Sequence, residues 1–383
     1  MKGYYFDHAA SSWPKPPQVT EAMVKWMEGN GANPGRGGHH LAMEASRAIY
    51  RCRVSLAQLF NIANPNDISF TANATEALNL AIKGFLRRGD HVISTELEHN
   101  SVRRPLEWVS QEKQVEITYV PADKQGRIQL NEVNKAFRNN TKLLVCSHAS
   151  NLLGSILPVQ KLGEMCKAKG VRLLVDAAQT AGTYPIDVES MGIDMLAFPG
   201  HKGLLGPQGT GGLYIHPDLE VEPLFHGGTG SQSEEIQQPN IRPDRYEAGT
   251  RNTVGLVGLD QGVRFIMQET IAEIREKESR MIRVLLNGLS ILNGVTCFGP
   301  PIGEERVGIA AFTLRDKDPA EVAHQLDRRY NIAVRAGYHC TPLGHKTAGT
   351  LETGAIRASI GYLTTIDEIE YLLDAVGKIM KND

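Results

Sequence analysis

Between residues 66 and 216, short apolar runs alternate with longer segments in which apolar residues recur with the period of an α-helix. The apolar runs predict strands at 91–95, 115–120, 142–148, 171–178 and 211–216. Helices are expected between them, for example over 75–86. This alternation is typical of a mainly parallel sheet with helices on both faces, an α/β fold whose sites lie at the carboxyl ends of the strands.

The pattern changes towards the C-terminus, where a charged helical segment over 258–292 precedes shorter elements. Two strands and two amphipathic helices are expected there, at 307–314, 331–337, 318–329 and 366–380. We therefore expect a large domain at 16–257 and a smaller α+β domain at 258–383, with residues 1–15 packing on the small domain. The Gly-, Ser- and Gln-rich stretch 226–240 predicts a long polar loop.

Charge and composition exclude several classes of function. The formal net charge of −2 gives no general attraction to nucleic acid or to an anionic membrane. No apolar run approaches the roughly 20 residues of a membrane span, and the N-terminus lacks a signal-peptide core. A cytoplasmic location is expected. The five cysteines include no CxxC pair, so we expect neither a disulfide framework nor a metal site.

Two residues suggest the chemistry. Lys202 lies in the Gly-rich segment 198–215, directly after an apolar run. Such a lysine is either an ordinary surface residue or an amine that attacks an aldehyde once desolvation has lowered its pKa. Asp176 ends an apolar strand, where a carboxylate needs a cation such as a pyridinium nitrogen or serves as a helix cap.

Three further residues extend this set. Thr75 lies at a helix start, where it either belongs to a phosphate site or only caps the helix. His99 follows a strand end and either stacks on a ring or is a structural histidine. Gln179 either reaches the oxygen of the same ring or is solvated. In chain order, these residues with Asp176 and Lys202 form a coherent site for pyridoxal 5′-phosphate (PLP), whose ring must remain protonated to act as an electron sink.

Motifs along nearly the whole chain carry a family resemblance. They are FDHAASS (6–12), NPGRGGHHLA (33–42), NATEALNLA (73–81), EHNS (98–101), SNLLGS (150–155), DAAQTAG (176–182), GHKGLLGPQGTGGL (200–213), YEAGTRN (246–252), RAGYHC (335–340) and IRASIGYLTT (356–365). In this order they resemble the class V aminotransferase family of fold-type I PLP enzymes. The resemblance is strongest to the type II cysteine desulfurases, a group that includes selenocysteine lyase-like proteins.

The resemblance implies a role for each matching residue. Lys202 would hold PLP as a Schiff base and take the α-proton of the substrate, Asp176 would pair with the ring nitrogen, and His99 would stack on the ring. The other implied cofactor contacts are Ala74, Thr75, Asn151, Gln179 and His201, together with Thr250, which would reach the phosphate of the partner subunit in a homodimer. Asn151, Arg357 and His39 would bind the substrate. Relatives commonly place a serine where this chain has Pro199, so the phosphate site lacks one hydroxyl donor.

Cys340 distinguishes between PLP reactions. Within RAGYHCTP the resemblance implies that its thiolate takes sulfur from L-cysteine as a persulfide, releases L-alanine and passes the sulfur to an acceptor protein or small thiol. The alternative is that Cys340 is only a small, partly buried cysteine without a catalytic role. A cationic or polar neighbour, His339 or His99, is expected to lower the pKa of the thiol.

Two alternative functions remain. One keeps PLP and changes the reaction, to that of a selenocysteine lyase, an aminotransferase or an epimerase, since Arg357 suits any α-amino acid. The other is a non-catalytic scaffold that retains the fold, against which the presence of both Lys202 and Asp176 argues.

Overall fold

The computed structural model describes residues 3–35 and 37–381. The strands are β1 (Tyr4–Tyr5), β2 (Ile68–Thr71), β3 (His91–Thr95), β4 (Glu116–Val120), β5 (Thr141–Ser147), β6 (Arg172–Asp176), β7 (Met195–Pro199), β8 (Gly211–Ile215), β9 (Val295–Phe298), β10 (Ile309–Leu314), β11 (Ile332–Ala333), β12 (Arg335–Gly337) and β13 (Ala355–Ser359). The helices are α1 (Pro17–Gly29), α2 (His40–Phe60), α3 (Ala74–Phe85), α4 (Asn100–Lys113), α5 (Leu130–Ala136), α6 (Val159–Lys169), α7 (Thr253–Glu269), α8 (Ile271–Ile291), α9 (Pro319–Tyr330), α10 (Pro342–Ala348) and α11 (Ile366–Met380).

A seven-stranded sheet in the order β2-β8-β7-β6-β5-β3-β4 forms the larger part of the protein. The pairs β3–β4, β3–β5, β5–β6 and β6–β7 are parallel. The strand β8 runs antiparallel to both of its neighbours, β2 and β7. The expected mainly parallel sheet is confirmed, and the predicted strand at 91–95 coincides with β3.

Helices cover both faces of this sheet, because successive side chains of a strand point to opposite sides. On β6, Leu173 and Val175 belong to a core shared with α2, α6 and α7. The intervening Leu174 belongs to a separate core shared with α3 and α4. The sequences of these strands are therefore continuous apolar runs, as expected for strands buried on both faces.

The start of α3 is fixed by local sequence. The Asn73 side chain accepts a hydrogen bond from the backbone N–H of Glu76 at 3.0 Å, and the Glu76 carboxylate accepts one from that of Ala72 at 2.7 Å. This reciprocal capping satisfies backbone donors at the helix end. The helix predicted over 75–86 is observed one residue earlier, and it begins immediately beyond the end of β2.

A smaller antiparallel sheet, β12-β13-β10-β9, packs against α8, α9 and α11. Leu285, Phe312 and Leu372 lie in its separate hydrophobic core. The N-terminal strand β1 runs parallel to β11, with Tyr4 opposite Ile332. These elements form the expected smaller α+β unit.

Two expectations about this region were wrong. The helix predicted over 258–292 is two helices, α7 and α8, separated by Thr270 with φ 65°. The Thr270 side chain caps α8 by accepting from the N–H of Glu273 at 3.3 Å. The strand predicted over 331–337 is also divided, because β11 and β12 belong to different sheets. The domain boundary expected after residue 257 would fall inside α7, which packs on α1 and α2, and this boundary stays a prediction.

Residues 226–240 are all described and contain no regular helix or strand, as their composition predicted. Among the described helices, none combines the length and apolar character needed to cross a bilayer.

Candidate active site

A cavity of about 220 Å³ lies at the carboxyl ends of the parallel strands, facing the small sheet. Most of the residues singled out from the sequence line it. They are Ala74, Thr75, His99, Asn151, Asp176, Gln179, His201, Lys202, Cys340 and Arg357. Strand ends explain this convergence, since β3, β5, β6 and β7 are adjacent and each is followed by at least one of these residues.

Lys202 follows β7 in a tight turn and faces the cavity. Loss of solvent lowers the pKa of Lys202 to about 8, and the positive charge of Arg357 acts in the same direction. The carboxylate of Asp176 opposes this shift. About a tenth of this lysine is therefore the neutral, nucleophilic amine at pH 7, far more than for an ordinary lysine.

The N-terminal segment holds the Lys202 turn in place. The Ser12 N–H donates to the His201 carbonyl at 2.9 Å, and the Ser12 hydroxyl donates to the Lys202 carbonyl at 2.8 Å. Lys15 Nζ donates to the Ser12 hydroxyl and to the His201 carbonyl, at 2.7 and 2.9 Å. Burial lowers the pKa of Lys15 to about 8 as well, but Lys15 does not line the cavity. A side chain at Gly203 would collide with the Ala181 carbonyl, so glycine permits this close approach.

Asp176 is the last residue of β6, and 4% of its surface is exposed. Burial raises the pKa of its carboxyl, whereas the backbone N–H of Ala178 and the charge of Lys202 lower it. The N–H of Ala178 donates to Oδ1 at 2.9 Å. The helix-cap alternative for Asp176 is wrong, because the residues that follow it form turns instead of a helix. A buried carboxylate at this position is suited to a cationic ligand group.

Thr75 and His99 face the cavity from neighbouring helix starts. Thr75 Oγ1 lies 2.7 Å from Ser101 Oγ, and Ser101 Oγ lies 2.9 Å from His99 Nδ1. His99 caps α4, and its Nδ1 accepts from the backbone N–H of Ser101 at 3.0 Å, which places the ring proton on Nε2. Burial, reinforced by the charge of Lys202, lowers the pKa of His99 to about 4. The imidazole is therefore neutral at pH 7.

Arg357 supplies a buried cation at the other side of the cavity, with 2% of its surface exposed. One amino group donates to the Asn151 carbonyl and the other to Asp7 Oδ1, both at 3.0 Å. Its Nε is buried and has no hydrogen-bond partner among the described residues. A guanidinium held in this way matches the geometry of a carboxylate ligand.

Cys340 lies in the loop between β12 and α10, and its side chain is exposed. Its carbonyl accepts a hydrogen bond from the N–H of Asn100 at 2.8 Å, which joins this loop to the start of α4. The neighbouring His339 is buried, and its Nε2 lies 3.0 Å from the Ala355 carbonyl. Gln179 Nε2 donates to the Ala9 carbonyl at 3.1 Å, so this side chain also joins separate segments.

Of the cationic or polar neighbour expected for Cys340, only the cationic form is excluded for His339 and His99, and a polar role for either ring stays a prediction. Burial lowers the pKa of His339 to about 3 and that of His99 to about 4, so both rings are neutral at pH 7. The cations that line the same cavity as Cys340 are the guanidinium groups of Arg335 and Arg357, besides Lys202.

Two of the expected site residues lie outside the cavity. His39 caps α2 by accepting from the N–H of Ala42 at 3.4 Å, and its side chain is exposed. Thr250 is also exposed and lines a separate cleft with Tyr50 and Arg251. Pro199 ends β7 opposite Gly211 and does line the cavity. The roles expected for His39 and Thr250 stay predictions.

Sequence reasoning missed several residues near this cavity. Arg335 and Ser101 line it and lie within or next to the motifs RAGYHC and EHNS. Glu98 is buried and accepts hydrogen bonds from Ser147 N and Oγ, both at 2.9 Å. Burial raises the pKa of Glu98 to about 7. Position within a conspicuous motif was the available signal for each. In residues 3–35 and 37–381, no group of three His, Cys, Asp or Glu residues is arranged to hold a metal ion.

Comparison with known proteins defines the family. Residues 4–372 match the family model for aminotransferase class-V, and the chain belongs to that family. It is 35% identical over 386 residues to a probable cysteine desulfurase from Methanothermobacter thermautotrophicus, covering 99% of this chain and 95% of the relative. It is 32% identical to a cysteine desulfurase from Yersinia pestis, covering 98% of this chain and 93% of the relative.

Solved structures show the same likeness. The apo structure of a cysteine desulfurase from Thermococcus onnurineus has a TM-score of 0.94 at 32% identity, covering all of this chain and 95% of the other. The cysteine desulfurase CsdA (S-sulfonic acid) from Escherichia coli has a TM-score of 0.90 at 25% identity, covering 99% of this chain and 95% of the other. The expected fold of the PLP-dependent family is thereby confirmed.

Proposed function

We propose that this chain is a PLP-dependent cysteine desulfurase, which converts L-cysteine to L-alanine and leaves the sulfur on Cys340 as a persulfide. The observation that carries this proposal is that Lys202, Asp176, Arg357 and Cys340 line one cavity. The full-length similarity to proteins named cysteine desulfurase supports the same reaction.

The cavity residues fit PLP. When bound, this cofactor withdraws electrons from the α-carbon of an amino acid. Lys202 would hold its aldehyde carbon through Nζ, and the buried carboxylate of Asp176 would keep its ring nitrogen protonated. The neutral ring of His99 would cover one face, with Gln179 at the ring oxygen.

The phosphate of PLP would lie at the N-terminus of α3, where Ala74 and Thr75 provide backbone N–H groups. His201 and Thr75 line the same cavity and would add donors to the phosphate. We propose that Ser101, which lies 2.7 Å from Thr75 Oγ1, supplies the hydroxyl donor that Pro199 lacks.

The remaining residues would bind and orient the substrate. Arg357 would hold the α-carboxylate, with Asn151 beside it and Arg335 adding a second positive charge. Lys202 would then take the α-proton, because an amine with a pKa of about 8 can accept and return a proton near neutral pH.

The sulfur step exchanges one bond to the substrate sulfur for another. The Cys340 thiolate forms a bond to the substrate sulfur while the Cβ–S bond of the substrate breaks. The electron pair of the broken bond stays with the three-carbon fragment, which takes up protons and leaves as L-alanine. Exposure of Cys340 then allows its persulfide to be passed to an acceptor protein or small thiol.

We further propose a homodimer in which Thr250 and His39 serve the partner subunit's site. Exposed apolar side chains on α1 and α2 support this proposal: Val24, Met27, Leu41, Met43 and Tyr50 are each at least 43% exposed. Tyr50 also lines the cleft that contains Thr250.

The division into a large domain (16–257) and a small domain (258–383) stays a proposal, with the transition placed within α7. The pairing of β1 with β11 supports the assignment of residues 1–15 to the small domain.

The test is to incubate the purified, PLP-loaded protein with L-cysteine and to measure alanine, released sulfide and the mass of the Cys340 peptide. We expect alanine together with a persulfide on Cys340 in the wild type, and neither in Cys340→Ala. The control Cys297→Ala changes a half-buried cysteine on β9 and should behave as wild type. A Cys340→Ala protein that still desulfurates L-cysteine at the wild-type rate would remove this residue from the reaction, whereas turnover of L-selenocysteine alone would favour a lyase.

A further inference from the structure

The loop that carries Cys340 has an unusual backbone. His339 and Cys340 have φ values of 47° and 58°, in the left-handed region that side chains other than glycine rarely adopt. Two such residues in succession persist only where surrounding contacts hold them. The loop is therefore a place where specific hydrogen bonds decide the position of the thiol.

Asn151, which lies in the turn that follows β5 of the large sheet, provides these bonds. Its Nδ2 donates to the His339 carbonyl at 2.7 Å, and its Oδ1 accepts from the Thr341 hydroxyl at 2.5 Å. The amide orientation is fixed, because only the amino group can donate to a carbonyl. The two contacts bracket Cys340 in sequence, one on each side. Both Asn151 and Thr341 are buried, at 7% and 0% exposure.

The Thr341 hydroxyl does not cap the helix that follows it. Thr341 is the N-cap residue of α10, a position where a threonine hydroxyl commonly accepts from the helix backbone. Here it makes no capping bond to α10 and donates instead to Asn151 Oδ1, with the His339 carbonyl at 3.4 Å as a second, weaker acceptor. Its methyl group lies so close to Gly344 that a side chain at residue 344 would collide with it, so glycine there leaves room for the methyl group.

We propose that Thr341 is a positioning residue for the Cys340 thiol, which it holds in place through the side chain of Asn151. Asn151 also accepts, through its backbone carbonyl, the 3.0 Å hydrogen bond from Arg357. Its Nδ2 retains a second N–H for a substrate carboxylate. Asn151 thus joins the group that holds the substrate to the loop that presents the nucleophile. This inference rests on the proposed function.

The test compares Thr341→Val, which keeps the shape and removes the hydroxyl, with Thr341→Ser, which keeps the hydroxyl. The matched control is Thr350→Val, which removes a buried hydroxyl that lies 2.8 Å from His345 Nδ1 near the other end of α10. In the cofactor-free protein, amide hydrogen exchange of the peptide 337–342 should accelerate about tenfold or more in Thr341→Val, the ratio that corresponds to about 1.4 kcal/mol. Thr341→Ser and Thr350→Val should exchange as the wild type does.

Two rates in the PLP-loaded protein separate positioning from a general structural role. Exchange of the α-proton of L-alanine in D₂O reports Lys202 without Cys340, and it should stay within about twofold of wild type in Thr341→Val. Single-turnover persulfide formation on Cys340 should slow about tenfold or more, and Thr341→Ser should restore it.

Equal slowing of both rates, unchanged hydrogen exchange in Thr341→Val, or the same effects from Thr350→Val would overturn the proposal. The hydrogen-exchange measurement needs neither cofactor nor substrate. It therefore tests the role of Thr341 even if the wild type forms no persulfide, a result that would count against the proposed function instead.

Discussion

Replacing Arg357 by lysine keeps the positive charge and removes the planar fork that would bind the substrate carboxylate. In the structure, Arg357 is 2% exposed and donates to Asn151 and Asp7 at 3.0 Å. A lysine reaches fewer of these partners and offers a carboxylate one contact in place of two. A hydrogen bond to a charged group contributes about 1.5–3 kcal/mol. At 1.4 kcal/mol per tenfold, we expect kcat/KM for L-cysteine to fall roughly 10- to 150-fold.

The assay compares L-cysteine with its methyl ester, which lacks the carboxylate charge. We expect Arg357→Lys to lower kcat/KM for L-cysteine by this amount and that for the ester by much less. Arg306→Lys is the matched control, because Arg306 is also buried and also donates to backbone carbonyls, but it does not line the cavity. An equal fall for both substrates in Arg357→Lys would refute carboxylate binding and leave Arg357 with a structural role.

The remaining predictions concern charge and pH. With the pKa of Lys202 at about 8, the neutral amine at pH 7 is about 300 times as abundant as for an ordinary lysine. PLP uptake by the cofactor-free protein should therefore accelerate with pH and level off above about 8. A rate that still rose about fivefold or more between pH 9 and 10, as expected for an ordinary lysine, would contradict this. Asp176→Asn should lower kcat by roughly 10²- to 4 × 10³-fold, because breaking a buried ion pair costs about 3–5 kcal/mol; cofactor content is checked by absorbance. Burial lowers the pKa of His148 to about 4, so below pH 6.5 the unfolded state binds more protons than the folded state does. The contribution of the neutral His148 to stability is therefore full above pH 6.5 and falls by about 2 kcal/mol by pH 5. Denaturant unfolding should show a correspondingly smaller acid loss in His148→Asn than in the wild type.

Much of the fold could be predicted, because the large sheet is made of strands buried on both faces. Such strands appear as unbroken apolar runs, and the run at 91–95 coincides with β3. The break between α7 and α8 was missed although a signal was present, since Thr270 and Glu273 have the spacing of a helix N-cap and its third residue. The helical period of charged and apolar residues is the same on both sides of Thr270, so the pattern alone does not show that one helix ends there and another begins.

The part of the site that lies at the carboxyl ends of the strands could be predicted. Asp176 ends β6, while Asn151 and Lys202 follow the adjacent strands β5 and β7, and the rule for parallel sheets brings them together. The protonation state of His339 could not be predicted, because it depends on burial against the small sheet. The bond between Thr341 and Asn151 joins residues 190 positions apart, which no local pattern reveals. His39 and Thr250 do not line the cavity of their own chain, so the roles expected for them stay predictions that depend on the proposed homodimer.

The measurement that most directly tests the account is the location of the covalent bond between protein and cofactor. Lys202 and Lys15 both have a pKa of about 8, but only Lys202 lines the cavity with Asp176. Borohydride reduction of the PLP-loaded protein, followed by peptide mass analysis, should find the pyridoxyl group on Lys202 alone. A cofactor-loaded protein whose reduced adduct lay on Lys15, or which carried no adduct at Lys202, would contradict the account.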